Sequence, residues 1–235
     1  MVSSVSSRIA SDRPFALIAT TNQAKVRDIR SLLSDLPVTW LTLNDLGDAP
    51  EIEETGETFE ANALLKARGY AWWSGLPSLA DDGGLSIEAL GGEPGVKSRR
   101  WIENRDASDE ELIAYTIERM RGISPDQRQA SMRVVEAFVL PPPGTPIHPA
   151  ALRLGASMDR QKVLLHGDPE TLGEGVIAGQ IAEQASTGRD PGFPFRSVFY
   201  IRTLGKFYFE LDPIEHELLN HRRAALLAIR ERLMT

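Results

Sequence analysis

The sequence predicts an α/β protein built on a mixed sheet. In its first half, short apolar runs of strand length alternate with segments whose apolar residues recur at helical spacing. In its second half strand-like runs dominate, which argues against an all-parallel doubly wound sheet. The chain has 235 residues, 42% hydrophobic and 25% charged. That composition is ordinary for a globular protein, and the length fits one domain or one domain with two lobes.

Each element follows from a local signal. Phe15 to Thr20 is a short apolar run suited to a buried strand. Asn22 is placed to cap a helix carrying Val26, Ile29, Leu32 and Leu33, which Pro37 ends. Val38 to Leu43 reads as a second strand and Thr58 to Trp73 as a helix. Leu76 to Ala80 reads as a strand entering an Asp81-Asp82-Gly83-Gly84 turn. Ser108 to Arg121 is amphipathic, and Ala130 to Leu140 is strand-like. Pro141, Pro142, Pro143 and Gly144 break the chain, and Pro146 and Pro149 extend the break. Val163 to Leu165 and Gly175 to Ala182 read as further strands, and Gly188 to Pro194 as a loop. Pro213 opens a last helix reaching Met234. No internal repeat is present.

Several classes of protein are excluded. The chain has no cysteine, so a disulfide scaffold, a cysteine zinc site, an iron–sulfur cluster and a cysteine nucleophile are ruled out. The same absence fits a cytoplasmic protein. Its 26 basic and 33 acidic residues give a net charge of −7, which argues against nucleic acid or a membrane surface as partner. No run of 18 apolar residues is present, so no transmembrane helix is expected. Residues 1–13 are polar and Ser-rich, without the apolar stretch of a secretory signal, and are expected to be a disordered tail before a single domain over 14–235.

Six segments could carry chemistry, and each has a bland reading beside it. Thr20-Thr21-Asn22-Gln23-Ala24-Lys25 joins a strand to a helix N-terminus, where free N–H groups and the dipole suit phosphate. The bland reading, the commoner one for such a segment alone, is a capped helix with a surface Lys. Asn44 to Glu60 holds seven carboxylates and no base, either a source of Mg²⁺ ligands or a solvated acidic loop. Lys66 sits on a mainly apolar helix and either snorkels to water or points into a polar cleft. Asp81-Asp82-Gly83-Gly84 offers a carboxylate for metal binding or water activation, or simply turn residues. In Leu90 to Trp101, Ser98 and its basic neighbours meet phosphate or solvent. On the last helix, Arg222 or Arg223 could clamp an anion, and His221 could contact a base or be structural.

The order of these segments is more specific than any one of them. Thr-Thr-Asn-x-x-Lys, Glu-Glu-Thr-Gly-x-Thr-Phe-x-x-Asn-Ala-x-x-Lys-Ala, Ala-Asp-Asp-Gly-Gly-Leu, Leu-Gly-Gly-x-Pro-Gly-Val and a late His-Arg form one set. It resembles the inosine/xanthosine triphosphate pyrophosphatase family, enzymes that remove deaminated purine nucleotides. The match is dense from Phe15 to Arg133 and returns at His166 to Ile177 and at His221-Arg222.

The resemblance implies a two-lobed inosine triphosphatase-like fold, with a long mixed central sheet and the active-site cleft between lobes. It implies hydrolysis of a nucleoside triphosphate to monophosphate and pyrophosphate, with Mg²⁺ as cofactor, in a homodimer. Carried over by position, Thr20, Thr21, Asn22 and Lys25 form the triphosphate loop. Glu54 and Asp82 bind Mg²⁺, and Asp82 is also the base for the attacking water. Lys25, Lys66 and Arg222 neutralise phosphate charge. Lys97, Arg99 and Arg223 are left as surface charges. The class alternative is a nucleotide-binding regulatory or partner protein of the same fold with little or no turnover.

The departures fall mostly on the base-reading half. Thr21 stands where the family has Gly, adding β-branched bulk to the first loop. Gly83 stands where it has Ser. Gly192-Phe193-Pro194-Phe195-Arg196-Ser197 replaces Gly-Phe-Gly-Tyr/Trp-Asp-Pro. Phe193, and Phe195 beside it, remain available to the base. Arg196 replaces an acceptor carboxylate with a cationic donor. His216 stands where a Lys is expected. The phosphate and metal half is therefore retained, and an altered base specificity is expected.

Overall fold

The computed structural model describes residues 13–162 and 164–234. The tail expected over 1–13 lies, except for Arg13, outside them. Strands β1 (Phe15–Ile18), β2 (Thr39–Thr42), β3 (Ser78–Ile87), β4 (Gln129–Val139), β5 (Glu170–Ile181), β6 (Phe199–Ile201) and β7 (Lys206–Phe207) form one sheet in the order β2-β1-β3-β4-β5-β6-β7. β1 runs parallel to β2, pairing Phe15 with Thr39, and parallel to β3, pairing Leu17 with Ser78. β5 to β7 pair antiparallel, so the sheet is mixed, as the sequence predicts. β1 is buried at all four positions, which is why it reads as an unbroken apolar run rather than an alternating one.

The helices are α1 (Gln23–Leu32), α2 (Leu43–Leu46), α3 (Phe59–Ser74), α4 (Asp109–Arg119), α5 (Pro149–Arg153), α6 (Met158–Gln161), α7 (Pro213–Leu219) and α8 (His221–Met234). The expected cap at Asn22 operates. Asn22 Oδ1 accepts from Ala24 N at 2.9 Å and Lys25 N at 3.4 Å. Thr58 caps α3 and Ser108 caps α4 with a capping box.

The described residues fall into two compact units. One comprises residues up to Asp81, Glu136–Gly173 and the chain from Leu226 onward; the other comprises Asp82–Val135 and Glu174–Ala225. The first is cored by Ala16, Ile18, Val26, Ile29, Leu33, Leu79 and Phe138 together with Leu226, Ile229 and Leu233. The second is cored by Leu85, Ile87, Leu112, Ile113, Ile177, Ile181, Phe199 and Tyr208, among others. Within the second unit the buried Arg128 donates to the carbonyls of Met120, Ile181 and Ala182 at 2.7–2.8 Å. It ties the end of α4 to the end of β5.

Four expectations need correction. Asp81-Asp82-Gly83-Gly84 is not a turn but the middle of β3. Its glycines serve close packing: a Cβ at Gly83 would lie 2.4 Å from the Arg133 carbonyl oxygen, and one at Gly84 would lie 2.0 Å from Ser98 Oγ. The last helix is two helices. Asn220 is extended (φ −66°, ψ 104°), and its side chain caps α8 by accepting from Arg222 N at 3.0 Å. The strand expected at Val163 to Leu165 is absent at Leu164 and Leu165, which lie in a turn and a bend; Val163 is outside the described residues. β5 begins at Glu170, five residues before the expected Gly175. The Pro-rich break packs on the end of α3, where His148 N donates to Ser74 O at 2.8 Å and its ring stacks 4.8 Å from Trp73.

Candidate active site

The first loop is self-built. Thr20 Oγ1 accepts from Asn22 N at 3.2 Å, and Asn22 in turn caps α1. Thr21 is exposed. Among the described residues, only Asp48, Glu103 and Asn104 are non-glycines in the left-handed region. Thr21 therefore takes the family's Gly position without backbone strain, and its cost is bulk alone. Lys25, in the first turn of α1, ion-pairs with Asp81 at 2.8 Å, and that carboxylate is 1% exposed. The resemblance assigns Asp81 no role of its own, and its adjacency to Asp82 is its one sequence signal.

The acidic loop is held by one face of α3. Asn62 Oδ1 accepts from Gly56 N at 2.7 Å. Lys66 Nζ pairs with Glu54 Oε1 at 2.6 Å, and Tyr70 Oη donates to Pro50 O at 3.1 Å. Positions 62, 66 and 70 are spaced by four and share a helix face. Gly56 leaves no room for a side chain, since a Cβ there would meet Ala61 Cβ and Asn62 Oδ1 at 2.7 Å. Lys66 does not snorkel to water. It fixes Glu54, while Glu51, Glu53 and Glu57 are exposed. Burial pushes the Tyr70 phenol up, so it stays a neutral donor. The spacing of four that aligns Asn62, Lys66 and Tyr70 is legible in the sequence, while their loop partners are not.

Asp82 begins the second unit and is 6% exposed, with Oδ1 accepting from Gly83 N at 2.9 Å. Among the described residues, no three His, Asp or Glu side chains are close enough to cage a cation. Glu54 in the first unit and Asp82 in the second are each oxygen donors of the type that hard cations take. Ser98 is settled as structural: buried, it accepts from Leu85 N and donates to Gly95 O.

A second cluster forms within the second unit. Arg196 is buried and pairs with Asp190 at 2.6 Å. Its guanidinium lies 3.7 Å over the Phe193 ring and 5.2 Å over Tyr208. The cationic donor expected at Arg196 is thus paired: a carboxylate stands in the loop six residues earlier, and one face of Phe193 is taken by Arg196. The His216 ring lies 5.7 Å and the His221 ring 5.8 Å from Tyr208, whose Oη is 3.3 Å from His221 Nδ1. Burial, then Arg222, Arg196 and His216, push His221 down to about 3, so its imidazole is neutral. Arg222 is buried, its N–H satisfied by Asn220. Phe195, partly buried, packs against the second core. Asp190 and Tyr208 carried no sequence motif, and only the fold gathers them with Arg196 and His221.

Comparison with known proteins gives one consistent picture. The Ham1 family model matches residues 16–232. A dITP/XTP pyrophosphatase of Symbiobacterium thermophilum is 36% identical over 218 residues, 92% of this chain and 93% of that protein. The protein of the same name from Escherichia coli K12 is 36% identical over 210 residues, 89% and 93%. The solved structure of a HAM1 protein from Coxiella burnetii is 30% identical, covering 94% of this chain and 98% of its own, with a TM-score of 0.73. That of a nucleoside-triphosphatase / dITP/XTP pyrophosphatase from Mycobacterium abscessus is 31% identical, covering 92% and 98%, with a TM-score of 0.64.

Proposed function

The chain belongs to the Ham1 family, and on that premise we propose that it is a nucleoside triphosphate pyrophosphatase. Water attacks a ribo- or deoxyribonucleoside triphosphate between the α and β phosphates, giving the monophosphate and pyrophosphate. The observation that carries this reading is the pair of lysine–carboxylate contacts, Lys25–Asp81 and Lys66–Glu54, each part-buried on an element that follows or faces a loop. Cations fixed in that way are preorganised to meet phosphate oxygens, and carboxylates held beside them resist reorganisation as charge develops.

In this reading Thr20, Thr21, Asn22 and the N–H groups opening α1 bind the triphosphate. Lys25, Lys66 and Arg222 neutralise it. Glu54 and Asp82 would hold Mg²⁺, which would supply charge stabilisation at the phosphates. Asp82 takes the proton from the attacking water. Phe193, Arg196, His216 and His221 face the nucleobase. The substrate is a deaminated or otherwise modified purine nucleotide, in keeping with the dITP/XTP names of the relatives. Base selectivity is altered by the Arg196–Asp190 pair. The enzyme acts as a homodimer, which light scattering would test.

The experiment is pyrophosphate release from a panel of ribo- and deoxynucleoside triphosphates with Mg²⁺, run beside Asp82→Asn. Loss of a general base predicts a fall of roughly 10²-fold or more in kcat, with nucleotide binding retained. Binding without release in the unmutated protein would favour the regulatory alternative.

A further inference from the structure

We propose that Tyr208 is a positioning residue for base recognition: its buried hydroxyl holds the His221 imidazole and sets which of its nitrogens carries the proton. This rests on the reading above that His221 faces the nucleobase. Tyr208 is fully buried in the second unit's core, an uncommon place for a phenol unless its hydroxyl is used. The use is visible: Oη lies 3.3 Å from His221 Nδ1. Tyr208 is also the ring shared by the candidate base-facing side chains. Arg196 lies over it at 5.2 Å, and the His216 and His221 rings stand edge-on to it at 5.7 and 5.8 Å.

A neutral imidazole has one N–H, and the partner of one nitrogen decides the role of the other. The phenol O–H is the more acidic donor, so it donates to Nδ1 and the His221 proton sits on Nε2. Burial, and after it Arg222, Arg196 and His216, disfavour a second proton on the ring. The main chain at His221 is closely packed as well: a Cβ at Gly175 would lie 1.7 Å from the His221 carbonyl oxygen. His221 therefore has its main chain set by β5 and its ring set by Tyr208.

The test is Tyr208→Phe in the full chain, which keeps the ring and its packing and deletes only the hydroxyl. Two readouts are taken: the ratio of kcat/KM for inosine triphosphate against adenosine triphosphate, and the ¹⁵N tautomer signature of His221. The expected result is a ratio changed by roughly 3- to 10-fold, the scale of one hydrogen bond, with His221 Nδ1 partly protonated and the melting temperature little changed. An unchanged ratio or an unchanged tautomer overturns the proposal. The unmutated protein supplies an arm that does not depend on the variant folding: Nδ1 protonated there overturns it as well. No pyrophosphate release from either triphosphate by the unmutated protein would instead refute the pyrophosphatase reading, and the tautomer would still decide whether Tyr208 holds His221.

Discussion

His221 shows how burial sets the chemistry of a single side chain. Its pKa is lowered from 6.5 to about 3. Above pH 6.5 the folded and unfolded chains both hold it neutral. Below that, the unfolded chain binds a proton that the folded chain refuses until about pH 3, so stability falls as pH is lowered through this window. Urea unfolding of the unmutated protein and of His221→Gln at pH 7 and pH 5 checks this: the variant loses less stability on acidification, by up to one proton's worth of slope. Arg196 gives the second residue-scale prediction. Arg196→Asp restores the family's residue type but sets a carboxylate beside Asp190 and removes a buried cation from its partner. The expected outcome is a loss of about 2 kcal/mol or more in urea unfolding, not a regained family specificity.

At the scale of elements, β3 carries the sharpest difference between motif and structure. A double Asp followed by a double Gly is turn chemistry in isolation. Here the strand continues, because Gly83 lets the backbone at Arg133 and Val134 approach within the radius of a Cβ. Gly83→Ser, the family's own residue, is therefore expected to destabilise by roughly 1–3 kcal/mol through overpacking. Thermal unfolding measures it, and a stabilised variant would refute the close-approach argument. α3 makes the converse point. Its Asn62, Lys66 and Tyr70 stripe was available from spacing alone, yet their partners at Gly56, Glu54 and Pro50 belong to an irregular loop whose path no periodicity encodes.

At the scale of the molecule, each unit is assembled from separated stretches of chain, and the boundaries fall inside β3, β4, β5 and α8. Leu226, Ile229 and Leu233 return from the end of the chain to complete the first core. Deleting residues 226–235 removes these three buried side chains, at about 1.5–3 kcal/mol each. Circular dichroism should show loss of the folded state or a melting temperature lowered by tens of degrees. For the same reason, the segment ending at Asp81 is not expected to fold alone. Among the described residues, no helix is long and apolar enough to cross a membrane.

The sequence by itself determined the α/β class, most strands and helices, the cap at Asn22, and the family through its ordered motifs. These are local matters: periodicity, cap chemistry and fixed spacing act within a few residues of each other. Only the tertiary structure decided that Asp81 holds Lys25, that Asp190 answers Arg196, that Tyr208 gathers His216 and His221, and that the Asp-Asp-Gly-Gly segment is strand. Each of these depends on which distant backbone or side chain arrives within a few ångströms. The pairing of Arg196 with Asp190 and Phe193 is set by how the 188–197 loop folds back on itself, and that path has no periodic signature in the chain.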